Sequence, residues 1–310
     1  MKNYILNKIE EIIKMPRLII PHILTRGYFN WMSDDKYLKL MYYGCFGKEL
    51  NLERPVSYNE KLQWLKLHDR NQVYTKLVDK YEVREHIAKE IGEEYLIPLI
   101  GVWDNFDDID FSKLPNQFVL KCTHDSGGIV ICKDKNNLNI NKVRKKINKS
   151  LKRKYYYLYR EWPYKNVKPR IIAEKYMSEC VNVLEENDVL TDYKFFCFNG
   201  VPKIMYISKD KAKIPYTDFF DMDFNRLQIK MRDPNSPSLP KRPQEFEEMK
   251  TMATKLSKAF PHIRIDFYTI NHKIYVGELT LFHCGGFASI SPNEWNIKLG
   301  EWIDLSNCKS

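Results

Sequence analysis

The rhythm of apolar and polar positions changes about a third of the way along this 310-residue chain. The first third reads as mainly helical. Ser57-Tyr-Asn-Glu60 forms a capping-box pattern, and Leu62, Leu65 and Leu67 follow at close to helical spacing, which predicts a helix opening at Ser57. A second helix is expected from about Tyr74 to Ile91, closed by Gly92. Pro98 and the Asp-rich stretch 104–110 mark loop. From Gln117 the pattern becomes strand-like: Phe118–Cys122, a turn at His124-Asp-Ser-Gly-Gly128, then Ile129–Lys133. A helix is expected from about Ile140 to Tyr159, then strands at 170–176 and 193–198. Asn199-Gly200 signals a tight hairpin into a strand at 202–208. Pro234–Pro243 reads as loop and Phe246–Phe260 as helix. No internal repeat is visible, and the mixture predicts an α+β or α/β architecture.

The next segment, Arg264 to Glu278, alternates and breaks at Asn271-His272-Lys273, which predicts a β-hairpin. If its turn centres on His272, Asp266 lies opposite Glu278, and Arg264 faces Thr280 one step along. A register shifted by one residue would instead point the two acids apart into solvent. Facing like charges destabilise an antiparallel pair, so the first register most simply expects a cation between the carboxylates, which suit Mg²⁺.

Composition narrows the partners without choosing one. A net charge of +10 implies an acidic counterpart: nucleotide, anionic glycan, nucleic acid or membrane surface. Seven cysteines are scattered without a CxxC, which fits a reducing cytoplasm better than a disulfide framework or a structural zinc site. No apolar run reaches the ~20 residues that span a bilayer. The N-terminus lacks a signal-peptide or transit-peptide pattern, Glu10 and Glu11 interrupting it, so a cytoplasmic chain is expected. Its amphipathic stretch 4–13, with 17–24 after it, leaves two readings open. One is a helix packed on the protein's own body; the other is contact with the inner face of a membrane.

Three further clusters could carry chemistry. Lys121 ends a buried strand just before Asp125, Ser126, Gly127 and Gly128, where glycines let backbone N–H groups approach phosphate. The loop lacks the Walker pattern, and taken alone a plain hairpin turn is the simpler reading of it. Glu174-Lys175-Tyr176 ends a strand, as a nucleotide hinge would, or any strand end. Asp192 and Lys194, two apart, share one strand face, where a surface pair is the simpler reading.

The order of these features resembles the TupA-like ATP-grasp family, associated with teichuronopeptide and polysaccharide biosynthesis. The resemblance covers about residues 55–305. It rests on Asn59-Glu-Lys-Leu-Gln-Trp-Leu-Lys66, Asp79-Lys-Tyr-Glu-Val-Arg84, Leu120-Lys-Cys-Thr-His-Asp-Ser-Gly127, Asp192-Tyr-Lys-Phe-Phe-Cys-Phe-Asn-Gly200, Arg264-Ile-Asp-Phe-Tyr268 and Gly277-Glu-Leu-Thr280. It implies an α+β, ATP-grasp fold, with two α+β subdomains clasping ATP behind a mainly helical N-terminal region. The boundaries expected are 1–54 for a helical segment, 55–115 for a helical region, 116–176 for the nucleotide-binding subdomain and 177–310 for the C-terminal subdomain with the metal site. The resemblance further implies that Lys80 and Lys121 contact phosphates under the 124–128 loop. Glu174 and the backbone at Lys175 and Tyr176 would read adenine, and Asp192 would lie near the ribose. Asp266, Glu278 and Thr280 would hold Mg²⁺, two ions being expected; Thr280 replaces the asparagine common in the superfamily. Arg264 would stabilise the transferred phosphoryl group, with Lys194 doing likewise or binding the acceptor carboxylate.

The activity so implied is an ATP-dependent carboxylate–amine ligase working through an acyl phosphate. It would join an amino acid or amine to a uronic acid of a cell-surface polysaccharide or its precursor. A sugar kinase, a glycosyltransferase and a nucleic-acid binder are the alternatives. The last rests on eight Lys and Arg residues within 142–154 ahead of a tyrosine run, which a solvated helix face explains equally well, so no nucleic-acid partner is expected. His124 and His283 could assist proton removal or simply pack.

Overall fold

A computed structural model describes residues 13–178, 190–209, 216–231, 233–306 and 308. Most of the N-terminal amphipathic stretch and the acidic loop before Asp192 lie outside them. The helices are α1 (Ile19–Leu24), α2 (Asp34–Phe46), α3 (Tyr58–His68), α4 (Val73–Val78), α5 (Val83–Ile91), α6 (Ile140–Leu151), α7 (Tyr156–Tyr159), α8 (Phe246–Ser257) and α9 (Asn293–Glu301). A small antiparallel sheet has the order β1-β4-β2-β3, built from Leu99–Trp103, Ile171–Lys175, Phe118–Cys122 and Ile129–Cys132. In the same chain-order numbering, a six-stranded antiparallel sheet has the order β11-β10-β5-β6-β7-β8. Its strands are Lys273–Thr280, His262–Ile270, Asp192–Phe198, Val201–Lys209, Tyr216–Asp221 and Arg226–Leu227. Two short strands, β9 (Lys230–Met231) and β12 (Ile290–Ser291), pair beside it. The fold is α+β.

Each sheet buries one face against a helix. In the small sheet Phe118, Leu120, Cys122, Ile171 and Ala173 pack on Val143 and Ile147 of α6. Alternation then turns Lys121 and Glu174 to the opposite face. In the large sheet Phe195 lies 5.7 Å from Phe246 of α8, and the Cys197 thiol contacts Ala253 O. Asp192, Lys194, Arg264 and Asp266 therefore share the other face. The sheets are bridged by α5, whose Arg84 reaches Glu174 at 3.4 Å, and by the pairing of Leu96 with Val276.

Two expected helices are shorter than their patterns suggest. Residues 74–91 form α4 and α5, separated at Asp79. That residue is extended, and its carboxylate accepts from the N–H of Tyr81 at 2.8 Å and of Glu82 at 3.3 Å. The interruption frees the Lys80 N–H to bond Thr123 O at 3.1 Å, a tertiary contact invisible to helical periodicity. The basic helix ends at Leu151, because Ser150 and Arg153 are drawn to the glycine-rich turn. Its buried stripe packs on the small sheet, leaving the lysines as a solvated face.

Candidate active site

The hairpin pairs Asp266 with Glu278 and Arg264 with Thr280, by a route the sequence did not announce. The turn holds two residues, Asn271 and His272, both at positive φ (50° and 61°). Continued from Ile270↔Lys273, that register would set Asp266 against Gly277 and turn Glu278 away. A bulge between the pairs Phe267↔Val276 and Asp266↔Glu278 inserts Gly277 and restores the facing acids. Glycine is required there by space: a Cβ would meet Cε2 of Tyr268 at 2.3 Å.

Asp266 is 1% exposed and carries the charge balance of the site. Arg264 Nε and Nη2 donate to its two oxygens at 2.7 and 2.8 Å, and Lys194 Nζ adds a 2.5 Å bond. Burial pushes the Asp266 carboxyl up, but Arg264 and Lys194 outweigh it and hold it below its ordinary value. Burial pulls the other way on Lys194 and Arg264, and Asp266 holds both above their ordinary values. The remaining Arg264 contacts go to Thr280 Oγ1 at 3.0 Å, His283 Nδ1 at 2.6 Å and Glu278 at 3.7 Å. His283 thus accepts at Nδ1, and burial beside Arg264 keeps its ring neutral.

An all-oxygen set of Asp266, Glu278 and Thr280 suits a hard cation such as Mg²⁺. Glu278, with its side chain 39% exposed and only the long Arg264 contact, is largely uncommitted. Asp266 keeps lone pairs beyond its three bonds. Among the described residues no cluster of three or more His, Cys, Asp or Glu stands ready for a metal. The rest of a coordination shell would therefore come from water and phosphate, as is usual for Mg²⁺.

On the small sheet Lys121 and Glu174 form a 2.6 Å ion pair, joined by Arg84. Lys80 Nζ donates to Asp125 O at 2.7 Å, at the root of the glycine-rich turn. The Asp125 carboxylate is buried: it accepts from Ser150 Oγ at 2.5 Å and from the Gly128 N–H at 3.1 Å. That ties the turn rather than facing solvent. Ser126 and Gly127 are exposed at its tip, while a Cβ at Gly128 would lie 2.1 Å from Ser150 Oγ. His124 is buried, with Nε2 3.2 Å from Arg153 O, and burial depresses its pKa. Lys175 is exposed at the strand end, and Lys133 sits 5.8 Å above the ring of Tyr176. Asp192 lies beside Lys194 on the large sheet, 3.3 Å from its Nζ, with burial raising its carboxyl.

Sequence reasoning missed the support under the 283–286 turn. Lys66 is fully buried, and its Nζ donates to Gln63 Oε1, Tyr159 O and Gly285 O at 2.8, 2.8 and 2.5 Å. Burial pulls its pKa down to about 7, yet three acceptors call for the three protons of an ammonium. Gln63 also binds Gly286 O at 2.9 Å and Asn59 binds Ala288 O at 2.9 Å. Asn59, Gln63 and Lys66 all lie in the quoted 59–66 motif, which was its available signal. Glu161 had none. It is buried near Lys66, Glu278 and Arg264, and burial raises its carboxyl to about 7.

The sequence model of TupA-like ATPgrasp matches residues 60–304. No curated protein matches the sequence. Among solved structures, the chain is similar to D-alanine–D-alanine ligase from Bacillus anthracis complexed with ATP, at 16% identity and TM-score 0.41. That match covers 69% of this chain and 58% of the ligase. The Coxiella burnetii D-alanine–D-alanine ligase matches at 12% identity and TM-score 0.42, over 79% of this chain and 64% of that one. ATP-grasp ligase PsnB, complexed with minimal precursor, Mg and ADP, matches at 7% identity and TM-score 0.39, over 72% and 57%. The chain spans about three fifths of the length of these ligases.

Proposed function

The chain belongs to the TupA-like ATP-grasp family, and from that premise we propose that it is an ATP-dependent carboxylate–amine ligase. The observation that carries this reading is the paired Asp266 and Glu278, with Arg264 and Lys194 on the same sheet face. A carboxylate is a poor acyl donor because its leaving group would be oxide. Transfer of the terminal phosphoryl group of ATP gives an acyl phosphate, which an amine converts to an amide with release of phosphate. Such transfer depends on positioning and charge neutralisation. Arg264 and Lys194 supply fixed positive charge at one side, and Lys80 and Lys121 supply it beside the glycine-rich turn. Mg²⁺ held by Asp266, Glu278 and Thr280 would neutralise phosphate charge. Glu174, Lys175 and Tyr176 are suited to hold the base at the strand end. Closure of the turn at Ser126 and Gly127 would exclude water from the acyl phosphate.

The net charge of +10 suits an acidic acceptor, and a uronic acid of a cell-surface glycan or its precursor is the acceptor proposed. The test is release of ADP and phosphate by the wild-type protein with D-glucuronate or D-galacturonate, with and without an amine. Release only when both are present, and hydroxamate formation when hydroxylamine replaces the amine, support the ligase. A phosphorylated sugar without free phosphate would mean a kinase and overturn it. The segment 13–31 adds contact with an anionic membrane surface to the reading. Tyr28 (74% exposed) and Trp31 (79%) stand out beside exposed Ile13, Ile19 and Ile23, with Lys14 and Arg26 alongside. Co-sedimentation with phosphatidylglycerol vesicles, lost in a Tyr28→Ser/Trp31→Ser variant, checks it.

A further inference from the structure

A cavity of about 270 Å³ opens on the active face of the large sheet, among β5, β6 and β7. It begins at Lys194 and continues past Asp192, Ser208 and Thr217 to Asp233, over an apolar wall that includes Phe219. Its size falls below the roughly 300–1,000 Å³ of sites for drug-sized ligands, so it fits a small molecule rather than a glycan chain. Resting on the ligase reading, we propose that this cavity is the amine subsite, taking a small primary ammonium such as a free amino acid, with Asp192 as its anchor.

Charge sets the class of ligand. The one lysine among the described lining residues, Lys194, lies 2.5 Å from Asp266 and 3.3 Å from Asp192, so a single ammonium is shared between two carboxylates. His283, also on the wall, is neutral and accepts from Arg264. Moreover, Tyr268 and Lys194 lean on the Asp192 carboxylate, yet its buried Oδ1 has no partner in hydrogen-bond geometry, a costly state for a carboxylate oxygen. An ammonium supplies the missing donors, and the hydroxyls of Ser208 and Thr217 can accept its remaining protons.

Position sets the role. Asp192 pairs across the sheet with Tyr268, and Lys194 with Asp266, so the cavity adjoins the proposed phosphoryl-transfer residues one strand step away. An amine held at Asp192 approaches from the side opposite Glu278 and Thr280, which lie across Asp266 on β11. The resemblance had set Asp192 near the ribose; the cavity gives it a different partner.

The experiment titrates the full-length wild-type protein with glycine, L-alanine and ethanolamine, and with their N-acetyl forms, by ligand-observed NMR. Mg·ATP affinity is measured in parallel. At least one free amine is expected to bind and its N-acetyl form not to bind. Asp192→Asn should weaken that amine about tenfold or more, the loss of a charged hydrogen bond, while Mg·ATP affinity stays within about twofold. Ser208→Leu, which fills the cavity and keeps its charges, should abolish amine binding and leave Mg·ATP untouched. Equal binding of the acetylated forms, no binding by any amine, or amine binding unchanged in both variants would overturn the assignment. Loss of Mg·ATP in Asp192→Asn alongside the amine would also overturn it and return Asp192 to the nucleotide. Amine binding in a protein that releases no ADP with uronate and amine would sink the ligase reading and leave the ammonium site standing.

Discussion

Gly277→Ala probes the site without touching a metal ligand. A methyl at 277 would sit 2.3 Å from Cε2 of Tyr268 and 3.1 Å from Cδ2 and Cζ, well inside van der Waals contact. The ring must move, or the bulge must be given up. Overpacking of this kind costs about 1–3 kcal/mol, against which the stiffer unfolded chain of alanine returns roughly 0.4–1 kcal/mol. A net loss of about 1–2 kcal/mol is expected, a few degrees in Tm for a chain of this size. The effect on the site should be larger than the effect on the fold. If the bulge closes, Asp266 faces residue 277 and Glu278 passes to the opposite side of the hairpin, ending its pairing with Asp266. Mg·ATP affinity by calorimetry should therefore fall at least tenfold, with denaturant unfolding measured beside it. Tyr268→Ala in the same background removes the obstacle and should restore most of the binding, a double-mutant cycle with strong coupling. Gly277→Ala with wild-type stability and wild-type Mg·ATP affinity would refute the argument. So would a loss that Tyr268→Ala leaves unchanged.

Other outcomes follow from the same geometry. Glu278→Gln and Asp266→Asn should each remove turnover, but differently: half-exposed Glu278 should leave the denaturant midpoint almost unmoved. Asp266→Asn strands Arg264 and Lys194 in a buried setting and should cost about 3–5 kcal/mol, so equal midpoints for the two variants would contradict the charge balance described. Lys66→Met strips the ammonium from Gln63 Oε1 and Tyr159 O and leaves Gly285 O only its longer 3.3 Å bond from Gln63, and should cost roughly 3 kcal/mol; proteolysis should become faster at 283–286, and unchanged cleavage there would count against its clamping role. Glu161 has a folded pKa raised from 4.5 to about 7. Its contribution to stability is therefore complete below about 4.5 and is lost as pH rises through about 7. Glu161→Gln should flatten the pH dependence of the unfolding midpoint in that window, and an unaltered profile would show that Glu161 is not its source.

The two sides of the site differ in how far sequence could reach. Around the glycine-rich turn, Lys121, Ser126 and Gly127 read as candidate phosphate contacts because lysine and glycine signal such a role locally, whereas Lys80 entered only with the family resemblance. Asp125 belonged to the same run, yet its carboxylate ties the turn to Ser150, 25 residues on. Nothing in the run itself tells a ligand-facing acid from a turn-tying one. Lys66 is similar: its partner Gly285 lies 219 residues away, and a lysine in an amphipathic helix reads as solvent-facing until its burial is seen.

By itself the sequence determined whatever depends on neighbours a few positions apart. The capping box at Ser57 and Glu60, the strand alternation that puts Asp192 with Lys194 and Arg264 with Asp266, and the order of motifs marking the family all belong to that class. Tertiary structure alone decided the break at Asp79, the bulge at Gly277 and the sharing of Asp266 between Arg264 and Lys194. The reason is physical. Strand period and helix caps are satisfied by local backbone geometry, whereas register and charge partners are chosen by packing across strands distant in sequence, and a single inserted residue reverses every side chain beyond it.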